Sequence, residues 1–600
     1  MTKELVRIGC ASAFYGDSQL SARQLVDKGE IDYLVFDYLA EVTMAILSRA
    51  KAKNENYGYA LDFVNVAMKE VLADCAKKGI KVVANAGGVN VPACISALKS
   101  LCKELDINLT IAGVYGDNLA ETEVQLDRAA MIEMESAEPL PEKLASINAY
   151  LGARPIADAL AAGADIVVTG RVVDSAVVLG PLMHEFNWQQ TDYDKLSQGS
   201  LVGHVLECGA QCTGGNFTDW HLVPDFSSMS YPIAEVGENG DFIVSIAPDT
   251  GGMVTVATVA EQIVYEIGDP ANYLLPDVAC DWSWVRLQQV AKDRVKVSGA
   301  KGRAPGNNYK VCATHIDGYR LIGSFYIGGL KAASKARTGL QAWVKRCGRH
   351  FAERGLPDFR QVSIEIVGAE DTYGPHVIPN KAREAMGKYG LHHDNREALN
   401  FAAAELAYLA TSGPPGMTTF GAGRTKPQPL MKVHSTLIDK NQVPVTVQLG
   451  DQLLVDQCYP TEETSLPSTT PILDNMGGAI EAQTDWVEIE LEKLAYGRSG
   501  DKGNNANIGI IARHPDYLPI LADCLTEKAI AEYFAHTISG SVMRYVIPGF
   551  YALNFLMTEA LGGGGTGSVK IDSQGKTLAQ MLLSIKIKVP IEIAKKLRDS

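Results

Sequence analysis

Residues 81–114 read KVVANAGGVNVPACISALKSLCKELDINLTIAGV, in which two short apolar runs flank a segment with helical spacing. The runs Lys81–Ala84 and Ile107–Val114 predict β-strands, and Val91–Leu105 predicts the helix between them. Two strands joined through a helix need a crossover connection, so we expect them to be parallel. This segment therefore predicts an α/β fold built on a parallel sheet.

The same alternation of strands and helices extends over the first third of the chain. Further strands are predicted at Leu5–Ala11, Tyr33–Phe36 and Asp165–Thr169, and further helices at Leu61–Cys75 and Pro155–Ala162. In open parallel sheets, ligands bind outside the carboxyl ends of the strands. The turns that follow these strands are therefore the first place to look for a functional site.

Each of these strands is followed by a short polar turn. The turns are Tyr15-Gly16-Asp17-Ser18, Asp37-Tyr38-Leu39-Ala40-Glu41, Asn85-Ala86-Gly87-Gly88-Val89-Asn90, Tyr115-Gly116-Asp117-Asn118, and Thr169-Gly170-Arg171 with Asp174-Ser175. A single turn of this kind is usually explained by turn preference and helix capping. Five in register favour a ligand site, since function collects on loops held by a rigid scaffold.

The side chains of these turns divide into two groups. The candidate catalytic groups are the carboxylates Asp17, Asp37, Glu41 and Asp174. The candidate substrate-binding residues are Ser18, Asn85, Gly87, Gly88, Asn90 and Arg171. A carboxylate would act as acid or base, while the arginine and loop amides would hold an anion. We expect the loops after the first three strands to converge with Arg171 in one cleft.

Two Gly-Gly pairs in the middle of the chain, at 214–215 and 251–252, could bind an anion through backbone amides. Neither has the lysine and hydroxyl residue of a phosphate-binding loop or the three-glycine fingerprint of a dinucleotide site. On this basis Gly214, Gly215 and Asn216 join the candidate binding residues, and tight turns are an equal alternative.

The chain is predicted to divide into three parts, an α/β core over 1–452, a linker rich in Pro, Thr and Ser over 453–484, and a C-terminal unit over 485–600. The core is expected to combine a mainly parallel N-terminal sheet with an antiparallel α+β middle section. Alternating runs at Val295–Val297, Tyr309–Ala313 and Arg320–Ile327 indicate that section. The C-terminal unit has the strands and short helices of a ferredoxin-like α+β sandwich.

One loop of the C-terminal unit, Gly497–Asn505, is predicted to be long, charged and rich in glycine. We predict that it completes the cleft, with Arg498, Asp501, Lys502 and Asn504 as binding residues. The alternative is a solvated surface loop with an internal Asp501–Lys502 ion pair, which would contribute little.

The composition excludes several classes of protein. Apolar residues make up 46% and charged residues 21% of the 600 residues, as in a soluble globular chain. Acidic residues outnumber basic ones by 70 to 55, so neither nucleic acid nor an anionic membrane is an expected partner. No CxxC pair, export signal or membrane span is visible, which predicts a cytoplasmic protein. A chain of this size is expected to form a homo-oligomer, most simply a two-fold dimer.

No cofactor motif is evident. His392 and His393 are adjacent and point in different directions on regular structure, and no HExxH occurs. The carboxylates Asp17, Asp37 and Glu41 could hold Mg²⁺ or Mn²⁺, but caps and ion pairs explain them better. A divalent metal is therefore not favoured, and no metal ligand is assigned. Because a nucleophile elbow is also missing, the residues best suit acid–base work on an anionic or carbonyl substrate.

Several long strings carry a family resemblance. They include Asp37-Tyr38-Leu39-Ala40-Glu41, Asn85-Ala86-Gly87-Gly88-Val89-Asn90, Thr169-Gly170-Arg171-Val172-Val173-Asp174-Ser175, Glu207-Cys208-Gly209-Ala210-Gln211-Cys212-Thr213-Gly214-Gly215-Asn216-Phe217 and Tyr265-Glu266-Ile267-Gly268-Asp269-Pro270. With these strings the chain resembles the acyclic terpene utilisation AtuA family over nearly its whole length. The stretch Gly497–Asn504 resembles the ferredoxin-fold domain that accompanies the family. The resemblance implies bacterial catabolism of acyclic terpenes or of related branched acyl-CoA compounds, and it supplies no catalytic residues.

Three hypotheses for the function follow. The first is an enzyme of the hydratase or lyase type that acts on a branched acyl-CoA or a terpene-derived carboxylic acid. The second is a non-catalytic subunit that binds such a thioester or acts as a scaffold for the same pathway. The third, a redox enzyme, is disfavoured because no dinucleotide fingerprint or metal cluster is visible. The expected partner is a small molecule, and coenzyme A enters as part of a thioester substrate.

Overall fold

The computed structural model describes residues 3–121, 126–379, 381–418, 423–461, 467–469, 471 and 485–599. The strands of the first part are β1 (Leu5–Cys10), β2 (Tyr33–Phe36), β3 (Lys81–Ala84), β4 (Ile111–Tyr115), β5 (Ser146–Ala149), β6 (Ile166–Thr169), β7 (Pro232–Gly237) and β8 (Phe242–Ile246). Its helices are α1 (Ser21–Lys28), α2 (Glu41–Lys53), α3 (Lys69–Lys78), α4 (Val91–Glu104), α5 (Arg154–Ala161), α6 (Ala176–Phe186), α7 (Tyr193–Leu206) and α8 (Val256–Ile263). A π-helical turn, Phe63–Met68, leads into α3.

The middle and the end of the chain add the remaining elements. The middle strands are β9 (Tyr273–Leu274), β10 (Ala279–Asp281), β11 (Arg286–Ala291), β12 (Arg294–Ser298), β13 (Lys301–Arg303), β14 (Asn308–Gly328), β15 (Gln361–Val367), β16 (Glu384–His393), β17 (Met417–Thr418), β18 (Gln428–Asp439), β19 (Val445–Leu449) and β20 (Gln452–Gln457). The middle helices are α9 (Ala332–Glu353), α10 (Arg396–Glu405) and α11 (Leu409–Ser412). The last strands are β21 (Trp486–Glu490), β22 (Ala495–Lys502), β23 (Asn505–Ala512), β24 (Val542–Ile547), β25 (Ala552–Met557) and β26 (Lys586–Pro590). The last helices are α12 (Leu518–Cys524), α13 (Glu527–Tyr533), α14 (Leu578–Leu583) and α15 (Ile591–Asp599).

The first part of the chain forms the central strands of a large sheet with the order β11-β12-β8-β7-β1-β2-β3-β6-β4-β19-β20. The five strands from β1 to β4 in this order are parallel, as predicted. The two flanks are antiparallel, so the expectation of a mainly parallel sheet is correct only for the centre. The physical reason is connection length, since β7 and β8, like β19 and β20, are joined by short turns that permit only antiparallel pairing.

Both faces of the parallel centre are buried. Val35 and Val83 face the core under α5 and α6, whereas their neighbours Leu34 and Val82 face the core under α1, α3 and α4. Strands buried on both faces need apolar residues at consecutive positions rather than an alternating pattern. This explains why β2 and β3 were continuous apolar runs in the sequence and were placed at their observed bounds.

The middle section is an antiparallel sheet built around the 21-residue strand β14, which pairs with β16, β17, β18 and β5. Two separate strands, Tyr309–Ala313 and Arg320–Ile327, were predicted here. The residues between them belong to the same strand, with an irregularity in the β14–β18 pairing between Ile316 and Tyr319 and Gly318 at a positive φ of 79°. The predicted run Val295–Val297 lies in β12, at the flank of the large sheet and outside this section.

The C-terminal domain is a four-stranded antiparallel sheet with the order β22-β23-β25-β24, next to the pair β21–β26. The prediction of a loop over Gly497–Asn505 is wrong, because β22 runs to Lys502 and a two-residue turn leads into β23. The glycines of this hairpin make room for the first domain: a Cβ at Gly500 would lie 2.5 Å from the Tyr265 ring, and one at Gly509 2.1 Å from Val264. The glycine-rich, charged stretch from Gly497 to Lys502 is therefore part of a strand that packs in the interface between the two domains.

Two fully buried asparagines of this sheet bind the backbone of the segment that follows α8. Asn507 donates to Val264 O (2.6 Å) and accepts from Glu266 N (3.0 Å), while Asn554 donates to Gly268 O (2.7 Å). Asn507 also donates to Asn554 Oδ1 at 2.8 Å, so the amides orient one another. We call these two residues the asparagine pair. It attaches the C-terminal domain to the large sheet at a defined position.

The predicted linker, 453–484, begins inside β20, which pairs with β19 at the edge of the large sheet. Residues 462–466, 470 and 472–484 of the linker lie outside the described residues. Across the described part of the chain, no helix is long and apolar enough to cross a membrane. All eleven cysteines are free thiols.

The close contact at Gly509 predicts a mutational effect. A Gly509→Ala Cβ would meet Val264 at 2.1 Å, and a branched side chain against the sheet cannot retreat. We expect the free energy of unfolding to fall by about 1–3 kcal/mol. The measurement is thermal and urea unfolding, with Gly268→Ala as the control, because the nearest atom to that Cβ lies at 3.9 Å. Equal free energies of unfolding for the two variants would contradict the close packing of Gly509 against Val264.

Candidate active site at the domain junction

The turn after β2 and the turn after β3 are joined by one buried side-chain contact. Asn85 donates from Nδ2 to Asp37 Oδ1 at 2.5 Å and accepts from the Tyr38 amide at 2.7 Å. Both side chains are buried. Burial, together with the nearby charges of Asp174 and Glu207, raises the pKa of Asp37 well above its usual range, and Arg171 and Asn85 only partly oppose this.

Arg171, in the turn after β6, lies beside these two turns. Its Nη1 donates to Leu39 O at 2.9 Å and to Asp174 Oδ1 at 2.5 Å, and its guanidinium lies 4.0 Å from the centre of the Tyr150 ring. The side chain is 3% exposed, yet its Nε has no hydrogen-bond partner among the described residues. A buried donor without a partner is costly in a protein and is commonly satisfied by a ligand or water.

The backbone at Arg171 is positioned by a second buried carboxylate. Asp117 accepts from the Arg171 amide and from Asn148 Nδ2, both at 2.8 Å. A Cβ on residue 170 would lie only 2.2 Å from Asp117 Oδ1, so this position accepts only glycine. Burial raises the pKa of Asp117 to about 6, although both hydrogen bonds favour its ionised form. Asp117 is therefore a positioning residue for the arginine.

Glu41, in the first turn of α2, is held as a carboxylate. The Tyr150 hydroxyl donates to its Oε1 at 2.5 Å, and Lys310 Nζ of β14 lies 3.5 Å from the same oxygen. Burial alone would raise the pKa of Glu41, but Lys310, Arg171 and the Tyr150 hydroxyl outweigh it and lower the pKa to about 2. The middle sheet thus contributes a cation to the site.

Glu207, just after α7, lies within hydrogen-bond distance of a buried histidine. Its Oε1 lies 3.0 Å from Nδ1 of His204, while Nε2 of His204 lies 3.1 Å from the carbonyl oxygen of Ile263. A carbonyl only accepts, so Nε2 carries the imidazole hydrogen. Burial lowers the pKa of His204 to about 4 and raises that of Glu207 well above its usual range. At neutral pH, Nδ1 is therefore an acceptor and the Glu207 carboxyl is the donor.

The C-terminal domain brings Asp501 and Lys502 of β22 to the same place. Glu266 faces them from the segment held by the asparagine pair, with a left-handed φ of 56°. Burial and the charge of Asp501 raise the pKa of Glu266 well above its usual range, and burial and Glu41 raise that of Asp501 to about 6. Burial and the charge of Lys310 lower the pKa of Lys502.

These side chains lie close enough for their charges to act on one another, and we call the region they share the junction cleft. Its residues are Asp37, Glu41, Tyr150, Arg171, Asp174, Glu207, Glu266, Lys310, Asp501 and Lys502. The side chains of Glu41, Asp174 and Lys310 are 31%, 38% and 43% exposed, so water reaches the space. Arg171 and Asp37 form its buried floor. Groups with strongly shifted pKa values that also meet solvent are typical of functional sites.

Two further cations extend the junction cleft along the domain interface. Arg498 donates from Nη1 to Asn216 O at 2.9 Å, bonds to Gln211, and lies 4.6 Å from the centre of the Tyr265 ring. Lys576 lies 3.6 Å from Glu266 Oε1 and bonds to the Tyr265 hydroxyl. These contacts place two positive side chains at the Tyr265 ring, next to Glu266 in sequence.

The structure brings together many of the residues that the sequence analysis proposed as site residues. Asp37, Glu41, Asp174, Arg171, Asp501 and Lys502 line the junction cleft, Asn85 supports it, and Arg498 extends it. Of Gly214, Gly215 and Asn216, only the carbonyl of Asn216 takes part, through Arg498.

Other proposed residues have local contacts instead. Asp17 accepts from the amides of Ala13 and Ser18 and from the Tyr231 hydroxyl. Gly87 and Gly88 are packed against Thr169 and Leu47, and Asn90 caps α4. Asn504 accepts from the Gly563 amide at 2.6 Å. None of these contacts belongs to the junction cleft.

The sequence analysis did not propose Tyr150, Glu207, Glu266, Lys310 or His204. Glu207 and Glu266 stand inside the strings that carried the family resemblance, which is the one signal that could have singled them out. Lys310 lies in β14 and Tyr150 directly follows its partner strand β5, outside the turns that follow the parallel strands. Among the described residues, no three His, Cys, Asp or Glu side chains are arranged to hold a metal ion.

The lowered pKa of Glu41 predicts that Lys310→Met changes the free energy of unfolding in a pH-dependent way. Because the pKa of Glu41 is about 2 when folded, its contribution to stability is complete above its ordinary value of 4.5 and is lost as the pH falls toward 2. Lys310→Met should lower the free energy of unfolding by about 1 kcal/mol near neutral pH, and by less as the pH falls.

The measurement is urea unfolding from neutral pH to the lowest pH at which unfolding is reversible. Lys296→Met is the matched control, because Lys296 is 42% exposed and pairs with Asp241 at 2.9 Å on the flank of the large sheet. A destabilisation by Lys310→Met that grows with falling pH would contradict the assignment.

Comparison with known proteins assigns both parts of the chain. The sequence profile described as "Acyclic terpene utilisation family protein AtuA" matches residues 6–449, and the "AtuA ferredoxin-like domain" matches residues 489–588. No curated protein and no solved structure matches the chain. The first match covers most of the chain and includes the large sheet except its edge strand β20, and the second includes the β22–β23 hairpin. The chain therefore belongs to the AtuA family of acyclic terpene utilisation and ends in that family's ferredoxin-like domain.

Proposed function

We propose that this protein is an enzyme that performs acid–base chemistry of the hydratase or lyase type in the junction cleft. Its substrate is a branched carboxylic acid or acyl-CoA thioester derived from an acyclic terpene, in line with the family to which the chain belongs. One observation carries the proposal. A carboxyl whose pKa burial raises well above its usual range, Glu207, and a carboxylate with a pKa of about 6, Asp501, come to the same cleft from two domains.

Glu207 is the proton donor. Its carboxyl holds a proton at neutral pH, and the Nδ1 of His204 at 3.0 Å fixes its orientation. Adding water to a double bond, or cleaving a bond next to a carbonyl, needs an acid that protonates the carbon or oxygen where negative charge develops. An acid that is still protonated at neutral pH can do this without help from solvent.

Asp501 is the general base. A pKa of about 6 leaves it ionised at neutral pH, yet makes it a far better proton acceptor than Glu41, whose pKa is about 2. Glu41 remains a fixed negative charge that balances Arg171 and Lys310. Glu266 interacts with the charges of both Asp501 and Glu207, so its charge influences the ionisation of the proposed base and of the proposed acid.

Arg171 binds the substrate's carboxylate or thioester oxygen. Its Nε is buried and unpartnered within the described part of the chain, and Tyr150 and the Leu39 carbonyl hold the guanidinium in place. A fixed donor of this kind stabilises an oxyanion without reorganisation. Arg498 and Lys576 extend the positive charge along the interface, which supports a thioester whose phosphate-bearing portion lies there.

The test of the proposed reaction is turnover of a panel of branched acyl-CoA esters and free branched acids, followed by mass spectrometry. Glu207→Gln keeps a hydrogen bond to His204 but has no acidic proton, and Asp501→Asn removes the base. Each should lower kcat/KM about a hundredfold or more while thermal unfolding is nearly unchanged. Glu488→Gln and Asp516→Asn, on exposed carboxylates of the C-terminal part of the chain, are the matched controls for the loss of a carboxyl group.

Retention of full turnover by either active-site variant would refute its assigned role. Binding of the thioesters by the wild-type protein with no turnover of any of them would identify a non-catalytic acyl-CoA-binding subunit and overturn the proposal.

The pH dependence of the reaction gives a separate prediction. Because Asp501 must be ionised to act as base, kcat/KM should rise with pH and level off above a pKa of about 6. Asp501→Asn should remove this acidic limb from the residual activity. The measurement is the pH profile of kcat/KM for both proteins, and an identical limb in the variant would show that another group titrates.

A further inference from the structure

Lys502 has an amine that faces the junction cleft and is not engaged elsewhere. Its side chain is exposed to the cleft, and its Nζ lies 5.2 Å from the centre of the Tyr273 ring. Within the part of the chain that the structure describes, it makes no hydrogen bond and no ion pair. Other lysines of the site are engaged, since Lys310 pairs with Glu41 and Lys576 pairs with Glu266.

The surroundings of Lys502 favour the neutral, nucleophilic amine. Burial and the positive charge of Lys310 lower its pKa, and the charges of Glu266, Glu207 and Asp174 oppose this only in part. An ammonium group cannot attack a carbonyl carbon, so a lysine nucleophile depends on desolvation or on a neighbouring cation. The second condition is met at Lys502, because the positive charge of Lys310 acts on it.

The position of this amine is fixed by the backbone that carries it. Lys502 is the last residue of β22 and pairs with Asn505 across a two-residue turn. Asn505 donates to Glu135 Oε1 at 2.6 Å, and Asn504 accepts from the Gly563 amide at 2.6 Å. Because the turn and the first residue of β23 are tied to other loops, the lysine projects from a hairpin that is held in place.

We propose that Lys502 is a nucleophile that forms an imine with the carbonyl group of a branched aldehyde or ketone bound in the junction cleft. The inference rests on the proposed location of the site, but not on a hydratase or lyase reaction. The proposal names a further substrate class, aldehydes and ketones. It also gives the site a covalent step beside its acid–base chemistry.

The step balances with the groups present. The Nζ lone pair forms a C–N bond to the carbonyl carbon, and the π electrons move to oxygen, which takes one proton from the attacking nitrogen. Glu207 gives the resulting hydroxyl a second proton, so that it leaves as water while the C–O bond breaks. The products are a protonated imine on Lys502, one water molecule and the Glu207 carboxylate. The new negative charge on Glu207 then stabilises the cationic imine.

A role as a simple counter-ion is the alternative for Lys502. A lysine that only balances Glu207, Glu266 and Asp174 would be protonated and no more reactive than an exposed lysine. The two roles therefore differ in covalent reactivity toward a carbonyl probe, whatever the natural substrate is.

The experiment traps the imine in the full-length wild-type protein. The protein is incubated with 3-methylbutanal and sodium cyanoborohydride, which reduces an imine to a stable amine, and the modified lysines are identified by peptide mass spectrometry. Lys493 is the internal control, because it lies on the same domain and is 59% exposed. We expect Lys502 to be modified at least about tenfold faster than Lys493, since a neighbouring cation such as Lys310 favours the neutral, reactive amine.

Two variants and the turnover assay complete the test. Lys502→Arg should lose the fast modification, and Glu207→Gln should slow it while leaving Lys493 unaffected. Modification of Lys502 at or below the rate of Lys493 in the wild-type protein would overturn the proposal, and this comparison does not depend on any variant folding. Fast modification of Lys502 together with full thioester turnover by Glu207→Gln would support the imine and refute the proposed acid. Slow modification of Lys502 together with the predicted loss of thioester turnover by Glu207→Gln would refute the imine and support the proposed acid.

Discussion

The asparagine pair is the interaction on which the rest of the site depends. Asn507 and Asn554 lie in the middle of a buried interface, where their amides are satisfied almost entirely by the backbone of residues 264–268 and by each other. A buried amide that lost these partners would cost on the order of 1–3 kcal/mol, so the contact is specific as well as stabilising. It holds Glu266 in a left-handed conformation that a glutamate rarely adopts, and it brings Asp501 and Lys502 against the turns of the large sheet.

The electrostatics of the junction cleft follow from that docking. Carboxylates outnumber cations around one space with limited access to water, so they cannot all be ionised. Glu41 keeps its charge because Lys310, Arg171 and Tyr150 surround it, whereas among the described residues Glu207 has only a neutral histidine at hydrogen-bond distance, and burial raises its pKa. Three parts of the fold are needed for this division: the strand-end turns, the middle sheet through Lys310, and the C-terminal hairpin.

The sequence was sufficient for features that depend on local pattern. The continuous apolar runs of β2 and β3 and the helix α4 between β3 and β4 were predicted from periodicity, and the strand-end rule pointed to Asp37, Glu41 and Arg171. The antiparallel flanks, the bulge within β14 and the strand character of β22 could not be predicted, because each depends on a partner distant in sequence. For the same reason Glu207 and Lys310 were missed: what distinguishes them is a neighbour, His204 buried against Trp282 in one case and Glu41 in the other.

The central claim is that docking of the two domains keeps a carboxyl group of the junction cleft protonated at neutral pH. Infrared difference spectroscopy tests this most directly, because a protonated carboxyl absorbs separately from a carboxylate. The account predicts a carboxylic acid band in the wild-type protein at neutral pH that is weaker in Glu207→Gln. A wild-type spectrum with no such band at neutral pH would contradict it.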